Sequence, residues 1–131
     1  MRTCVRMRSP TCLLAAFLGL AFLSGCGQPS MAKVTGRVTC KGQPVPEAMI
    51  TFNPVPKAAE DREPGKPATG MTDAEGRYEL STFKNYDGVL VGEHKVVVHL
   101  DVTNPCRCKH YKQLTFEVKP EGGELNIELD E

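Results

Sequence analysis

The sequence predicts an all-β domain built as a seven-stranded sandwich, and three observations predict it. From Lys33 onward apolar residues recur at every second position, and helical spacing persists nowhere for more than a turn. Turn formers are abundant, with Gly 12 and Pro 10 in 131 residues, while 40% of the chain is still hydrophobic. Short half-apolar strands, each giving one face to a core, fit two packed sheets. The strand–helix–strand spacing of a parallel α/β fold is missing from the pattern.

Taken in order, the first strand sets Val34, Val38 and Cys40 against Thr35, Arg37 and Thr39. Lys41-Gly42-Gln43-Pro44 turns the chain into a second strand, where Ala48, Ile50 and Phe52 alternate with Met49 and Thr51. Pro54 to Pro67 carries four prolines and six charged residues and reads as a solvated loop, long enough for function but better explained by mobility. A weaker strand from Ala68 to Thr72 and the Tyr78 and Leu80 strand flank Asp73-Ala74-Glu75-Gly76. They read as a hairpin with Gly76 where positive φ is needed. Val96, Val98 and Leu100 share one face of the run from Glu93 to Leu100, with Lys95, Val97 and His99 on the other. Leu114, Phe116 and Val118 are expected to pair with Leu125, Ile127 and Leu129 across Pro120-Glu121-Gly122-Gly123.

Gly36-Arg37-Val38-Thr39, Gly42-Gln43-Pro44-Val45, Ala48-Met49-Ile50-Thr51-Phe52 and Thr72-Asp73-Ala74-Glu75-Gly76-Arg77-Tyr78-Glu79-Leu80 together resemble the carboxypeptidase regulatory-like, or transthyretin-like, β-sandwich family. The chain is especially similar to the small lipoproteins of that type in planctomycete bacteria. Gly92-Glu93-His94-Lys95-Val96 and Leu114-Thr115-Phe116-Glu117-Val118 extend the resemblance over nearly all of Lys33 to Leu129, and the Thr-Asp-x-x-Gly-x-Tyr segment is its most specific part. The resemblance implies a Greek-key sandwich that caps, spaces or presents, without catalytic residues. Two departures stand out: His94, where relatives carry an aromatic, and the insertion-like Cys106-Arg107-Cys108.

The N-terminus carries an address. Arg2, Arg6 and Arg8 precede an apolar run from Cys12 to Leu23 and the small residues Ser24 and Gly25, the layout of an export signal, and the run is too short to span a bilayer as a helix. Met7 offers a second start that keeps Arg8 and the whole run. Leu23-Ser24-Gly25-Cys26 resembles the bacterial lipobox, which implies a diacylglyceryl group on Cys26 and cleavage before it. The expected layout is a signal peptide over 1–25, a lipidated tether over 26–32 and the sandwich over 33–131. Two or three acyl chains, at about 0.8 kcal/mol per buried methylene, hold such a protein at the membrane surface.

The sequence balances 16 basic against 16 acidic residues at a pI near 6.8, so no field draws nucleic acid to it. Cleavage would remove three arginines and leave −3. Ser30 and Ser81 stand in no Gly-x-Ser-x-Gly elbow, and neither a phosphate loop nor His-Glu-x-x-His occurs. The Tyr-Arg-Gly-Ser tail of hydroxyisourate hydrolases is replaced by Asn126-Ile127-Glu128-Leu129-Asp130-Glu131. Asp73 and Glu75 lack the further oxygen donors of a calcium loop and read as turn residues.

The unusual constellation is Cys106-x-Cys108-x-His110. In an extended segment these three side chains share a face, and Cys40 ends the first strand pointing inward toward them. With Cys26 taken by lipid, Cys40, Cys106 and Cys108 allow one disulfide and one free thiol, which the oxidising envelope favours. Three free thiols stand second. Third is a metal site of Cys40, Cys106, Cys108 and His110, of the donor type that takes zinc or Cu(I), although the spacing is atypical for structural zinc. His94 and His99 fall on opposite faces and read as packing or surface residues.

The expectation is therefore a non-catalytic, lipid-anchored envelope sandwich without a cofactor. Its partners are the membrane, through the lipid, and a protein or glycan met through loops. A metal-binding or thiol-redox lipoprotein is the alternative.

Overall fold

A computed structural model describes residues 29–58, 64–109 and 111–130. The segment read as an export signal, Cys26 and His110 lie outside the described residues. Within them the chain is all β, with no helix. Eleven strands follow in order: β1 Met31–Ala32, β2 Val34–Cys40, β3 Gln43–Pro44, β4 Ala48–Pro54, β5 Ala68–Met71, β6 Arg77–Glu79, β7 Val89–Leu90, β8 Gly92–Leu100, β9 Tyr111–Val118, β10 Gly123–Glu124 and β11 Ile127–Leu129. Each of the seven expected strands is present. The additional four are two-residue segments, too short for any alternation to announce them.

One sheet runs β5-β4-β8-β9 and is antiparallel throughout. Its register places Ile50 opposite Val98 and Phe52 opposite Val96, so β-branched and aromatic side chains meet across the ladder on the core face. The other sheet is organised around β2. On one edge β2 pairs antiparallel with β6 through Thr35–Arg37 and with β3 through Thr39–Cys40. On the opposite edge it pairs parallel with β10 at Val34–Thr35 and with β11 at Val38–Cys40. A small antiparallel pair of β1 and β7 closes one margin.

The core lies between the two sheets. Val34, Val38, Ile127 and Leu129 face Ile50, Phe52, Val96, Val98 and Leu100, all buried, and Tyr78, Leu80 and Val89 complete it. Phe52 meets Phe116 edge-on, with ring centroids 5.9 Å apart. Full burial of an aliphatic or aromatic side chain of this size contributes about 1.5–3 kcal/mol, so the interleaved faces supply the dominant stabilising term.

Two expected hairpins are not formed. β9 and β11 do not pair: β9 adds to β8, with Leu114 opposite Val96, while β11 lies parallel to β2, with Ile127 opposite Val38. The turn that should have folded them together instead carries the chain from one sheet to the other. Gly122 N–H donates to Lys119 O, and Gly123 N–H donates to Lys33 O at 3.0 Å, docking this backbone on the start of β2. Gly122 has φ +85°, and a Cβ there would sit 2.4 Å from Lys33 O. The chain gains a second ladder edge for β2 that a local hairpin would have left open to solvent.

The second correction concerns Ala68–Leu80. The Asp73–Gly76 turn forms, with Gly76 at φ +74° and its N–H donating to Asp73 O. Its two arms nevertheless join different sheets, β5 with β4 and β6 with β2, and beyond the turn pair with each other only through an isolated Thr69–Ser81 bridge. The turn is a corner of the sandwich. Thr72, which is buried, fixes that corner: its Oγ1 donates to Val45 O at 2.7 Å and accepts from Ala48 N–H at 2.8 Å.

Candidate functional site

Two features could carry chemistry or recognition: a cluster of sulfurs at one end of the sandwich and a polar groove across the outer face of the β2 sheet. The cluster forms where β2 ends. Cys40 and Cys108 are joined in a disulfide, with Cα atoms 6.1 Å apart and a sequence separation of 68. Cys106 is a free, half-buried thiol beside them, and the three Sγ atoms all lie within 4.8 Å of one another. Cys108 is buried, whereas Cys106 is only half-buried.

The loop that delivers these sulfurs is held independently of the bridge. Asp101 accepts from Thr103 N–H and Thr103 Oγ1 through Oδ1, bonds that hold its carboxyl below the usual range, and its carbonyl accepts from Asn104 N–H. Asn104 is buried. Its amide donates to Pro46 O at 2.7 Å, and its Oδ1 accepts from Cys106 N–H at 3.0 Å. Lys109 N–H donates to Asp130 O at 2.8 Å, fastening the far side to the residue that follows β11. Sequence reasoning singled out the three cysteines but missed Asn104, whose only signal was a turn former next to Pro105. The fourth expected donor, His110, lies outside the described residues.

The groove has a volume of about 900 Å³. Its floor is the outward row of β2, Thr35, Arg37 and Thr39, continued by Arg77 and Glu79 of β6 and by Asn126. Asn126 Oδ1 accepts from Arg37 N–H at 2.9 Å, and its amide donates to Glu124 Oε1 at 2.6 Å, so both side chains are oriented. At the rim stands Tyr86, 63% exposed at φ +60°, a left-handed conformation that costs about a kcal/mol or more for a residue with a side chain.

Local hydrogen bonds hold Tyr86 there. The Asp87 carboxylate accepts from Thr82 N–H at 2.7 Å, Lys84 N–H at 2.8 Å and Phe83 N–H at 2.9 Å, which holds its carboxyl below the usual range, the Thr82 bond most strongly. Thr82 Oγ1 donates to Gly88 O, and Ser81 Oγ accepts from Tyr86 N–H at 2.8 Å. Ser81, which lacks a nucleophile elbow, thus serves the loop. Asp73 likewise commits Oδ1 to the N–H groups of Glu75 and Arg77, both at 2.9 Å. No pattern in the sequence marked Tyr86 or Asp87.

His94 and His99 separate as their faces require. His99 is exposed, whereas His94 is buried 5.8 Å from the Phe52 ring, its Nδ1 hydrogen-bonded to Gly92 O at 2.9 Å. Burial holds the imidazole below its ordinary pKa, and Nε2 has no hydrogen-bond partner among the described residues. Among those residues, no helix is long and apolar enough to cross a membrane.

No family model matches the sequence, and no curated protein does. Among solved structures the chain is similar to a DUF3823 family protein from Parabacteroides merdae, at a TM-score of 0.51 and 17% identity. The similarity covers 79% of this chain and 47% of that one, so the chain spans about half the length of that protein. At this identity the likeness shows a shared β-rich fold.

Proposed function

We propose that the protein is a lipid-anchored module of a bacterial cell envelope, of the carboxypeptidase regulatory-like type, that binds a partner rather than catalysing a reaction. The observation that carries the reading is the groove over β2. Its aromatic rim residue is fixed by a loop of five hydrogen bonds, and its floor mixes oriented amides with guanidinium and carboxylate groups, an arrangement suited to a protein or glycan surface. The Leu23-Ser24-Gly25-Cys26 segment supports the anchor, since β1 begins five residues after Cys26 and leaves a short tether.

The test is made in the native cell. Wild type partitions with membranes and incorporates labelled palmitate, and Cys26→Ala abolishes both. Crosslinking of the anchored protein recovers a partner set that is lost with Tyr86→Ala/Arg77→Ala and kept with Lys95→Ala on the opposite sheet. Recovery of the same set from the groove variant overturns the assignment of the groove, and an unlipidated wild-type protein in the soluble fraction overturns the anchor.

A further inference from the structure

We propose that the Cys40, Cys106 and Cys108 sulfurs are a site for a single Cu(I) ion, closed while the disulfide is formed and opened by a dithiol reductant. The inference is independent of the groove. Three sulfurs from two distant chain segments converge within 4.8 Å, whereas the bridge that pins the loop uses only two of them. Metal–thiolate bonds of about 2.3 Å put the sulfurs of a trigonal set about 4.0 Å apart, inside that spread. Three convergent thiolates are a soft donor set of the kind that selects Cu(I).

The surroundings are built for it. Cys108 N–H donates to Cys106 Sγ at 3.4 Å, a contact that fixes where the third sulfur sits beside the bridge. Asn104 and the Lys109 N–H hold the loop on the sandwich without help from the disulfide, so the sulfurs stay together once it is cut. The chemistry balances. One thiolate of the dithiol attacks the Cys40–Cys108 bond and forms a mixed disulfide. Its second thiol displaces the protein sulfur, leaving a cyclic disulfide on the reductant and two protein thiols. Capture of the ion then releases one proton from each of the three thiols, and copper enters and remains as Cu(I).

The experiment uses the full-length protein expressed in a lipidating host and purified in detergent, with Cu(I) delivered from a colorimetric chelator under argon. The expected result is one Cu(I) per reduced chain, none per oxidised chain, and sulfur-to-copper charge-transfer absorption in the near ultraviolet. Cys106→Ser, which keeps the bridge-forming pair, should bind more weakly by over the roughly 100-fold that changes outside the ligand shell produce. Equal competition by Cys106→Ser and wild type overturns the proposal, as does a reduced, folded wild type that yields all its copper to the chelator. Far-ultraviolet circular dichroism decides the remaining case. If reduction unfolds the domain, Cu(I) should restore the β spectrum in wild type but not in Cys106→Ser, and failure to restore it in wild type also overturns the site.

Discussion

The two sheets reach the same interior by different means. The β5-β4-β8-β9 sheet is made of long antiparallel strands whose registers stack apolar side chains in pairs, such as Ile50 with Val98 and Phe52 with Val96. The sheet around β2 has one strand of comparable length, flanked by four short segments drawn from the start, middle and end of the domain. Its stability comes from close backbone approach and from side chains that bond to backbone: Tyr78 Oη donates to Leu125 O at 2.6 Å, and Thr72 bridges Val45 and Ala48. The comparison separates a sheet that fails by losing volume from one that fails by gaining it. The Cys40–Cys108 bond joins them, running from the end of β2 to the loop that enters β9.

Core truncation in the first sheet should have the largest effect. Phe52→Ala deletes a fully buried ring that contacts Phe116 and His94, and a loss of about 3–5 kcal/mol is expected by denaturant titration. Thr51, one residue away on the outer face, should tolerate alanine within about 0.5 kcal/mol. A similar cost at both positions would show that side-chain interleaving is not what holds this sheet.

Cutting the bond between the regions comes next. In the chain-entropy model, closing a loop of 68 residues contributes about 4 kcal/mol, so reduction in the absence of metal should lower the melting temperature clearly. Peptide mapping without reductant should recover a Cys40–Cys108 linked peptide with Cys106 free to alkylate.

In the β2 sheet the sensitive change is an addition. A Cβ on Gly36 would lie 1.9 Å from Leu125 O and 2.7 Å from Tyr78 Oη, so Gly36→Ala should cost about 3 kcal/mol by forcing the segment between β10 and β11 away from β2. Tolerance of alanine there would collapse the distinction between the sheets.

The smallest expected effect has the opposite sign. His94 is buried with Nε2 unpartnered among the described residues, so His94→Phe should stabilise by about 1 kcal/mol at neutral pH. It should also change the pH profile. Because the folded imidazole titrates below its ordinary value, its contribution is present in full above the unfolded value near 6.5 and is lost as pH falls toward the folded one. The variant should therefore flatten the decline of melting temperature below pH 6.5, and an unchanged slope would assign that decline to other groups.

Much of this was written locally. The alternation of Val34 with Thr35, of Ile50 with Thr51 and of Val98 with His99 sets which side faces inward, because side-chain period two is a property of the extended backbone itself. The Asp73–Gly76 turn was equally legible, since Gly76 supplies a conformation that other residues adopt at a cost. The sulfurs were legible as a set, through the Cys106 to Cys108 spacing, whereas the groove was not. Arg37, Arg77 and Asn126 lie far apart in the chain, and Tyr86 reaches the rim only because Asp87 folds its loop beneath it.

Partner choice was left to the tertiary structure. An alternating strand declares its faces but not its neighbour, so Leu114–Val118 and Leu125–Leu129 satisfied every local requirement of a hairpin and still joined opposite sheets. The same held for which of Cys106 and Cys108 bonds to Cys40, a choice made by the burial of Cys108 and the Asn104 tie that leaves Cys106 outside. Period and turn chemistry act over a few residues and are encoded there. Pairing is decided by which arrangement leaves the least ladder edge and apolar face in water, a property of the whole chain at once.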